Sequence, residues 1–82
     1  MITNEEKIRQ IGLNIAHYRK LRKMSQNQLA EACGISRGFL SHIEAPNVLV
    51  SFSIYTLLDI AKVLNIDPRF LLEFHEEEQR ES

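Results

Sequence analysis

One stretch decides the fold of this chain: residues 25–44 read SQNQLAEACGISRGFLSHIE. Ser25 and Ser36 are suited to begin two helices, because a serine hydroxyl accepts a hydrogen bond from a backbone N–H of the first turn. Gln28 stands three residues after Ser25 and completes a capping box. Gly34 lies between the two helices, where a left-handed residue ends the first one. The stretch therefore predicts two short helices joined by a tight turn, which is the arrangement of a helix-turn-helix.

The rest of the chain predicts three further helices and no strand. Apolar side chains recur every three or four residues through 5–23, with Asn4 as the expected N-cap. Ser53 and Asp67 are the expected caps of a fourth and a fifth helix, and Asn65 is the expected end of the fourth. The predicted fold class is all-α, with five helices and a helix-turn-helix formed by the second and third.

The size and composition of the chain limit its function. Its 82 residues allow one small domain, expected over 1–75, with an acidic tail over 76–82. No apolar run is long enough for a membrane span, and the single cysteine, Cys33, forbids an internal disulfide. These features predict a cytoplasmic protein with no cofactor, no metal and no evident small-molecule ligand. A domain of this size is expected to gain stability by forming a homodimer.

Charge is unevenly distributed along the chain. Residues 1–44 hold seven bases and four acids, a net charge of +3, whereas residues 73–82 hold five acids and one base, a net charge of −4. The pI near 6.3 therefore does not argue against binding to nucleic acid.

The second and third helices carry a resemblance to a known family. The chain resembles the phage-repressor/Cro-type regulators, also called the xenobiotic-response-element (XRE) type, whose domain is lambda-repressor-like and compact. The resemblance covers roughly residues 8–74. It departs from the family pattern at residues 45–52, which form a loop about two residues longer than usual and unusually apolar. The matching residues are Ser25-Gln26, Leu29-Ala30, Gly34, Ser36, Leu40, Ser41 and Ile43-Glu44.

The resemblance implies binding to double-stranded DNA. The helix start at Ser25 and Gln26 suits a phosphate, because a helix N-terminus presents free N–H groups and partial positive charge. Gln26 would contact that phosphate or brace the next helix; the alternative is a polar first-turn residue. Arg37 is expected to read a base, since its fork matches guanine, or else to contact a phosphate. The expected DNA-contacting residues are Arg19, Ser25, Gln26, Ser36, Arg37, Gly38, Ser41 and His42.

Individual residues of this set leave alternatives open. His42 could contact a base edge or be solvated, and Gly38 could allow close approach to the groove or be tolerated at an exposed site. The resemblance implies that Arg19 pairs with Glu44 and holds the third helix; the alternative is two unrelated surface charges. Only some of Lys20, Arg22 and Lys23 could reach phosphates.

The sequence does not favour an enzyme. The adjacent Ser41 and His42 point about 100° apart on a helix and cannot act as nucleophile and base. We expect a dimeric repressor that reads a near-palindromic operator through the major groove, with the dimer interface at Phe70, Leu71 and Phe74. The alternative is a protein-interaction module that uses the apolar residues 48–52 and the last helix.

Overall fold

Four α-helices and one 3₁₀ helix follow one another in the computed structural model, which describes residues 2–74. The α-helices are α1 (Asn4–Leu21), α2 (Gln26–Cys33), α3 (Arg37–Glu44) and α4 (Ile54–Leu64). A 3₁₀ helix at Pro68–Leu72 closes the described chain. No strand occurs in residues 2–74, and no helix within that range is long and apolar enough to cross a membrane. The expected acidic tail over 76–82 lies outside the described residues.

The prediction of a fifth α-helix is wrong, because the last element is a five-residue 3₁₀ helix. Asp67 caps it as expected by accepting a hydrogen bond from the backbone N–H of Arg69 at 2.9 Å. The Asn14 side chain ties its C-terminal end to α1, since Asn14 Nδ2 donates to the carbonyl oxygens of Leu71 at 3.1 Å and Glu73 at 3.0 Å.

The helix-turn-helix begins and ends where the sequence predicts. Ser25 and Gln28 form the reciprocal capping box at the start of α2, and the Ser36 hydroxyl accepts a hydrogen bond at the start of α3. Gly34 ends α2 at φ +71°, and Asn65 ends α4 at φ +58°. Both residues therefore have the left-handed backbone conformation that the sequence predicts at these helix ends.

The N-cap of α1 is Thr3, and the expected Asn4 is the first helical residue. The Thr3 hydroxyl accepts from the backbone N–H of Glu6 at 3.1 Å, and Glu6 Oε1 accepts from the backbone N–H of Thr3 at 2.7 Å. This pair is a capping box of the kind seen at α2. The correction moves the start of the helix by one residue and does not change which side of it faces the core.

One apolar core joins all five elements. α3 packs on α1 and α2, whereas α4 packs on α2, α1 and the 3₁₀ helix. The apolar side chains of the loop at residues 45–52 lie in two environments. Val50 and Phe52 pack against the core, whereas Val48 and Leu49 are exposed. The buried apolar residues are Ile15, Leu29, Ala30, Leu40, Ile43, Leu57, Ile60, Ala61, Leu64 and Leu71.

A close approach of two helices depends on Gly12. A β-carbon at Gly12 would overlap the backbone carbonyl of Ile43 in α3, which cannot move aside as a flexible side chain would. At Gly38, by contrast, no atom from outside its own stretch of helix lies within 4 Å of the place that a β-carbon would take. Helix packing therefore requires a glycine at residue 12, whereas the space around residue 38 does not.

We predict opposite effects of alanine at these two glycines. Gly12→Ala should lower the free energy of unfolding by about 1–3 kcal/mol, because it forces α1 away from α3. Gly38→Ala should raise it by up to about 1 kcal/mol, because alanine has a higher helix propensity than glycine at this exposed position. Urea denaturation followed by circular dichroism measures both. Equal effects of the two substitutions would contradict the close approach at Gly12.

Candidate nucleic-acid interface

The outer side of α3 collects the residues expected to read DNA. Leu40, Ile43 and Glu44 are buried on the inner side of this helix. Arg37, Gly38 and His42 are exposed on the other side, and Ser41 is half-buried at its edge. The structure therefore brings these four residues onto one surface, and their side chains lie outside the core.

Ser25 and Ser36 cap the N-termini of α2 and α3. Ser25 Oγ accepts from the backbone N–H of Gln28 at 3.0 Å, and Ser36 Oγ accepts from the backbone N–H of Phe39 at 3.0 Å. Both serines are exposed. Each hydroxyl still has a proton to donate, so contact with DNA at Ser25 and Ser36 stays a prediction.

A buried ion pair holds α3 against α1. Arg19 Nε donates to Glu44 Oε2 at 2.8 Å, and Arg19 Nη2 donates to Glu44 Oε1 at 3.0 Å. The two residues are only 8% and 7% exposed. The pairing implied by the family resemblance is confirmed, and its forked geometry sets the orientation of both side chains.

Gln26 and Met24 complete this buried network. Gln26 Nε2 donates to Glu44 Oε1 at 2.9 Å, and Arg19 Nη1 donates to the Met24 carbonyl at 2.7 Å. Gln26 therefore braces the third helix, which was one of the two roles expected of it. We name Arg19, Glu44 and Gln26 the clamp.

Arg19 is not placed to contact DNA itself. All three of its guanidinium nitrogens donate to acceptors inside the domain, and the residue is buried. The expectation that Arg19 is a DNA-contacting residue is therefore wrong for this structure. Its effect on the outer side of α3 passes through the position of that helix.

The basic residues at the end of α1 have different roles. Arg22 Nε donates to the carbonyl oxygen of Leu64 at 2.8 Å, and its Nη2 donates to that of Asn65 at 3.3 Å, so Arg22 caps the C-terminus of α4. Its positive charge also suits the negative end of that helix. Lys20 and Lys23 are exposed. These two lysines remain as the candidates for phosphate contacts.

A cleft with both polar and apolar walls lies beside the clamp and reaches Ser41 at the edge of α3. It has a volume of about 430 Å³ and lies between the end of α1, the start of α2 and the end of α3. Lys20, Gln26 and Ser41 line it together with the paired Arg19 and Glu44. The spacing of residues in the sequence did not reveal this cleft, because its walls come from three helices.

The three residues expected at a dimer interface differ in how far they are buried and in what they contact. Leu71 is fully buried in the core, so its side chain offers no surface to a partner, and that expectation is wrong. Phe70 is 38% exposed, with its ring centroid 6.3 Å from that of Tyr18. Phe74 is half-buried, with Lys7 Nζ 5.9 Å from its ring centroid. Phe70 and Phe74 do not share a helical face, because the 3₁₀ helix ends before Phe74.

Cys33 behaves as a small, partly buried apolar residue. Burial raises the pKa of its thiol above the ordinary value, and the negative charge of Asp59 raises this pKa further. Both effects favour the neutral thiol, which is a weak nucleophile.

Comparisons with known proteins agree with this geometry. The family model HTH_3, described as helix-turn-helix, matches residues 15–71. The restriction-modification controller protein C.AhdI from Aeromonas hydrophila is 26% identical, with a TM-score of 0.71 over 78% of this chain and 94% of that one. Among curated protein sequences, none matches this chain.

Two further solved structures contain SinR, a protein of Bacillus subtilis. SinR, a master regulator for biofilm formation solved in complex with DNA, is 36% identical, with a TM-score of 0.70 over 77% of this chain and 98% of that one. SinR in complex with the SinI protein is 32% identical, with a TM-score of 0.71 over 87% of this chain and 72% of that one.

We predict that the clamp contributes more to stability than an exposed ion pair. Arg19→Ala should lower the free energy of unfolding by about 3 kcal/mol or more, because it leaves the Glu44 carboxylate buried without its counter-charge. The matched control is Arg69→Ala, which removes a pair with Asp67 at 3.5 Å whose side chains are 79% and 51% exposed. That change should cost about 0–1 kcal/mol. Thermal melts compare the two variants, and similar losses would contradict the role of the clamp.

Proposed function

Because this chain belongs to the HTH_3 family of helix-turn-helix proteins, we propose that it is a transcription regulator that binds double-stranded DNA. The observation that carries the proposal is the outer side of α3, which is exposed and polar while the clamp holds the helix from behind. A helix held in this way can enter the major groove without losing its orientation. We propose that the protein acts in the cytoplasm.

Arg37 and His42 are the proposed readers of base edges. Both are exposed, and they lie on either side of Gly38 on the outer side of α3. Arg37 can donate two hydrogen bonds to guanine, and His42 can donate or accept one. The open space at Gly38 supports close approach of the helix backbone to the groove. Ser41 and Ser36 would contribute hydroxyl contacts at the edges of this surface.

Lys20 and the start of α2 are the proposed phosphate site. Lys20 and Gln26 line the same cleft, and the N-terminus of α2 at Ser25 adds partial positive charge. A phosphate held there would fix the position of the protein on the duplex without reading its sequence. Gln26 would then both brace α3 and lie beside the bound backbone.

The regulator is proposed to act as a dimeric repressor. One α3 helix of eight residues reads only a few base pairs, so a near-palindromic operator bound by two copies would give adequate specificity. Two recognition helices related by a two-fold axis would enter half-sites ~34 Å apart, one turn of DNA. Such a repressor needs no activation domain, because it blocks transcription by occupying the operator.

The second candidate function is a protein-interaction module. The exposed Val48 and Leu49 favour it, since apolar side chains at a loop tip suit contact with another protein. SinR, to which this chain is similar, has been solved in complex with the SinI protein as well as with DNA. The two candidates differ in how binding responds to salt, because only contacts with phosphates release condensed counterions.

We predict that binding to random duplex DNA weakens steeply as salt increases. The logarithm of the affinity should fall by about 0.9 per phosphate neutralised for each tenfold rise in salt concentration. Lys20→Ala should reduce the magnitude of this slope by about one, whereas the distant and exposed Arg69→Ala should leave it unchanged. Fluorescence anisotropy at several salt concentrations measures the slopes. Absence of any salt-dependent binding would favour the protein-interaction module.

We predict that Arg37 carries sequence specificity. Arg37→Ala should cost about 1–3 kcal/mol on the duplex obtained by in-vitro selection, because one forked contact to a base is lost, and little on random DNA. Lys23→Ala is the control, since an exposed lysine without a base contact should weaken both duplexes similarly. Equal losses for Arg37→Ala on both duplexes would make Arg37 a phosphate contact.

A further inference from the structure

A further cleft lies between α1 and the 3₁₀ helix, and none of the residues proposed to contact DNA lines it. Its volume of about 330 Å³ is at the lower end of the range found for small-molecule sites. We name it the aromatic cleft, after the rings on its walls. The polar and aromatic residues that line it are Gln10, Asn14, His17, Tyr18, Phe70 and Glu73.

Hydrogen bonds between side chains and backbone hold the two walls of the aromatic cleft together. Gln10 Nε2 donates to Asn14 Oδ1 at 2.9 Å, within the wall that α1 forms. Asn14 Nδ2 then donates across the cleft floor to the carbonyl oxygens of Leu71 and Glu73. Because the Asn14 amide is bonded through both its oxygen and its nitrogen, the walls are joined before a ligand enters. A preformed site avoids the cost of ordering its walls on binding.

Three aromatic rings meet at this cleft. The ring centroids of His17 and Tyr18 are 4.9 Å apart with an edge-on angle of 82°, and those of Tyr18 and Phe70 are 6.3 Å apart. The face of an aromatic ring carries partial negative charge and attracts cations. Phe70 already has a cation beside it, since the guanidinium carbon of Arg69 is 5.8 Å from its ring centroid. The rings therefore suit a ligand with an apolar body and a positive charge.

The charge of the aromatic cleft selects the sign of a ligand. Among the described residues that line it, Glu73 contributes a carboxylate, and no lysine or arginine is present. Arg69, near Phe70, is not among the lining residues, and its Nε is 3.5 Å from a carboxylate oxygen of Asp67. A carboxylate attracts a cation and repels an anion at these distances. The aromatic cleft is therefore complementary to a cation.

We propose that the aromatic cleft binds a small organic cation. Its protonated amine would lie beside the Glu73 carboxylate, and its ring or short aliphatic chain would lie against Tyr18 and Phe70. This inference goes beyond the proposed function and does not depend on it, because the DNA-reading side of α3 is not part of the cleft. It also adds a ligand where the sequence predicts none. The sequence does not reveal the cleft, because its walls are distant segments of the chain.

Titration with phenethylamine, followed by NMR of the backbone amides, tests this site. We expect shifts at the residues of the aromatic cleft, with a dissociation constant on the order of millimolar for so small a probe. The matched control is 2-phenylethanol, which has the same shape and lacks the charge. It should bind at least tenfold more weakly. Equal binding of the two probes, or shifts that occur only outside the cleft, would overturn the proposal.

The role of the carboxylate is tested by removing its charge. Glu73→Gln should abolish the preference for phenethylamine over 2-phenylethanol, because the amide keeps the shape of the side chain and loses the attraction to the amine. Glu31→Gln is the matched control, since Glu31 is an exposed glutamate on α2 and does not line the cleft. Circular dichroism checks that both variants fold. A tenfold preference that survives in Glu73→Gln would contradict the assigned position of the amine.

The role of the rings is tested at Phe70, which is 38% exposed and therefore replaceable without opening the core. Phe70→Leu should weaken the binding of both probes at least threefold, because leucine keeps an apolar side chain and loses the aromatic face. Tyr55→Leu is the control, since Tyr55 is an exposed aromatic residue on α4, outside the cleft. Unchanged binding in Phe70→Leu would show that the body of the ligand lies elsewhere.

Thermal melts give a second measurement that is independent of DNA. A ligand that binds only the folded chain raises the melting temperature, so phenethylamine should raise that of the wild type and of Glu31→Gln. Ammonium chloride at the same concentration should not, and neither should phenethylamine with Glu73→Gln. A chain that binds DNA and shows neither NMR shifts nor a rise in melting temperature with phenethylamine would overturn the aromatic cleft as a site and leave DNA binding in place.

Discussion

The buried ion pair between Arg19 and Glu44 is the constraint on which the position of α3, the helix proposed to read DNA, depends. Burying two opposite charges is unfavourable unless their hydrogen bonds are satisfied, and here the fork of Arg19, the amide of Gln26 and the carbonyl of Met24 satisfy them. The pair lies where α1, α2 and α3 meet, so these helices cannot shift independently without exposing or separating the charges. The orientation of α3 is therefore an electrostatic property as much as a consequence of apolar packing.

Close packing supports this electrostatic constraint from a second direction. Gly12 lets α1 approach the backbone of α3 at Ile43, which is next to Glu44 in the chain. A larger residue would move the two helices apart and lengthen the bonds between Arg19 and Glu44. Glycine in the interior of α1 is unfavourable for the helix itself, and the approach that it permits gives the compensating benefit. The core contact and the ion pair thus require the same distance between α1 and α3.

Several polar side chains join segments that are distant in the sequence. Asn14 of α1 donates to carbonyl groups at the end of the 3₁₀ helix, and Arg22 donates to carbonyl groups at the end of α4. Each therefore satisfies acceptors that a helix end leaves without partners. These two residues hold the C-terminal half of the domain on α1.

The sequence by itself determined the helix-turn-helix, because Ser25, Ser36 and Gly34 act on backbone groups within a few residues of themselves. It did not determine the last element, where a cap predicted an α-helix and the structure has a five-residue 3₁₀ helix whose end is bonded to Asn14, far away in the chain. Only the tertiary structure showed that Arg22 bonds the end of α4 and that Lys20 is exposed. Both residues are basic and lie close together in the sequence, so their roles depend on which parts of the folded chain lie next to each of them. The family resemblance implied that Arg19 pairs with Glu44, whereas only the tertiary structure showed that this pair is buried.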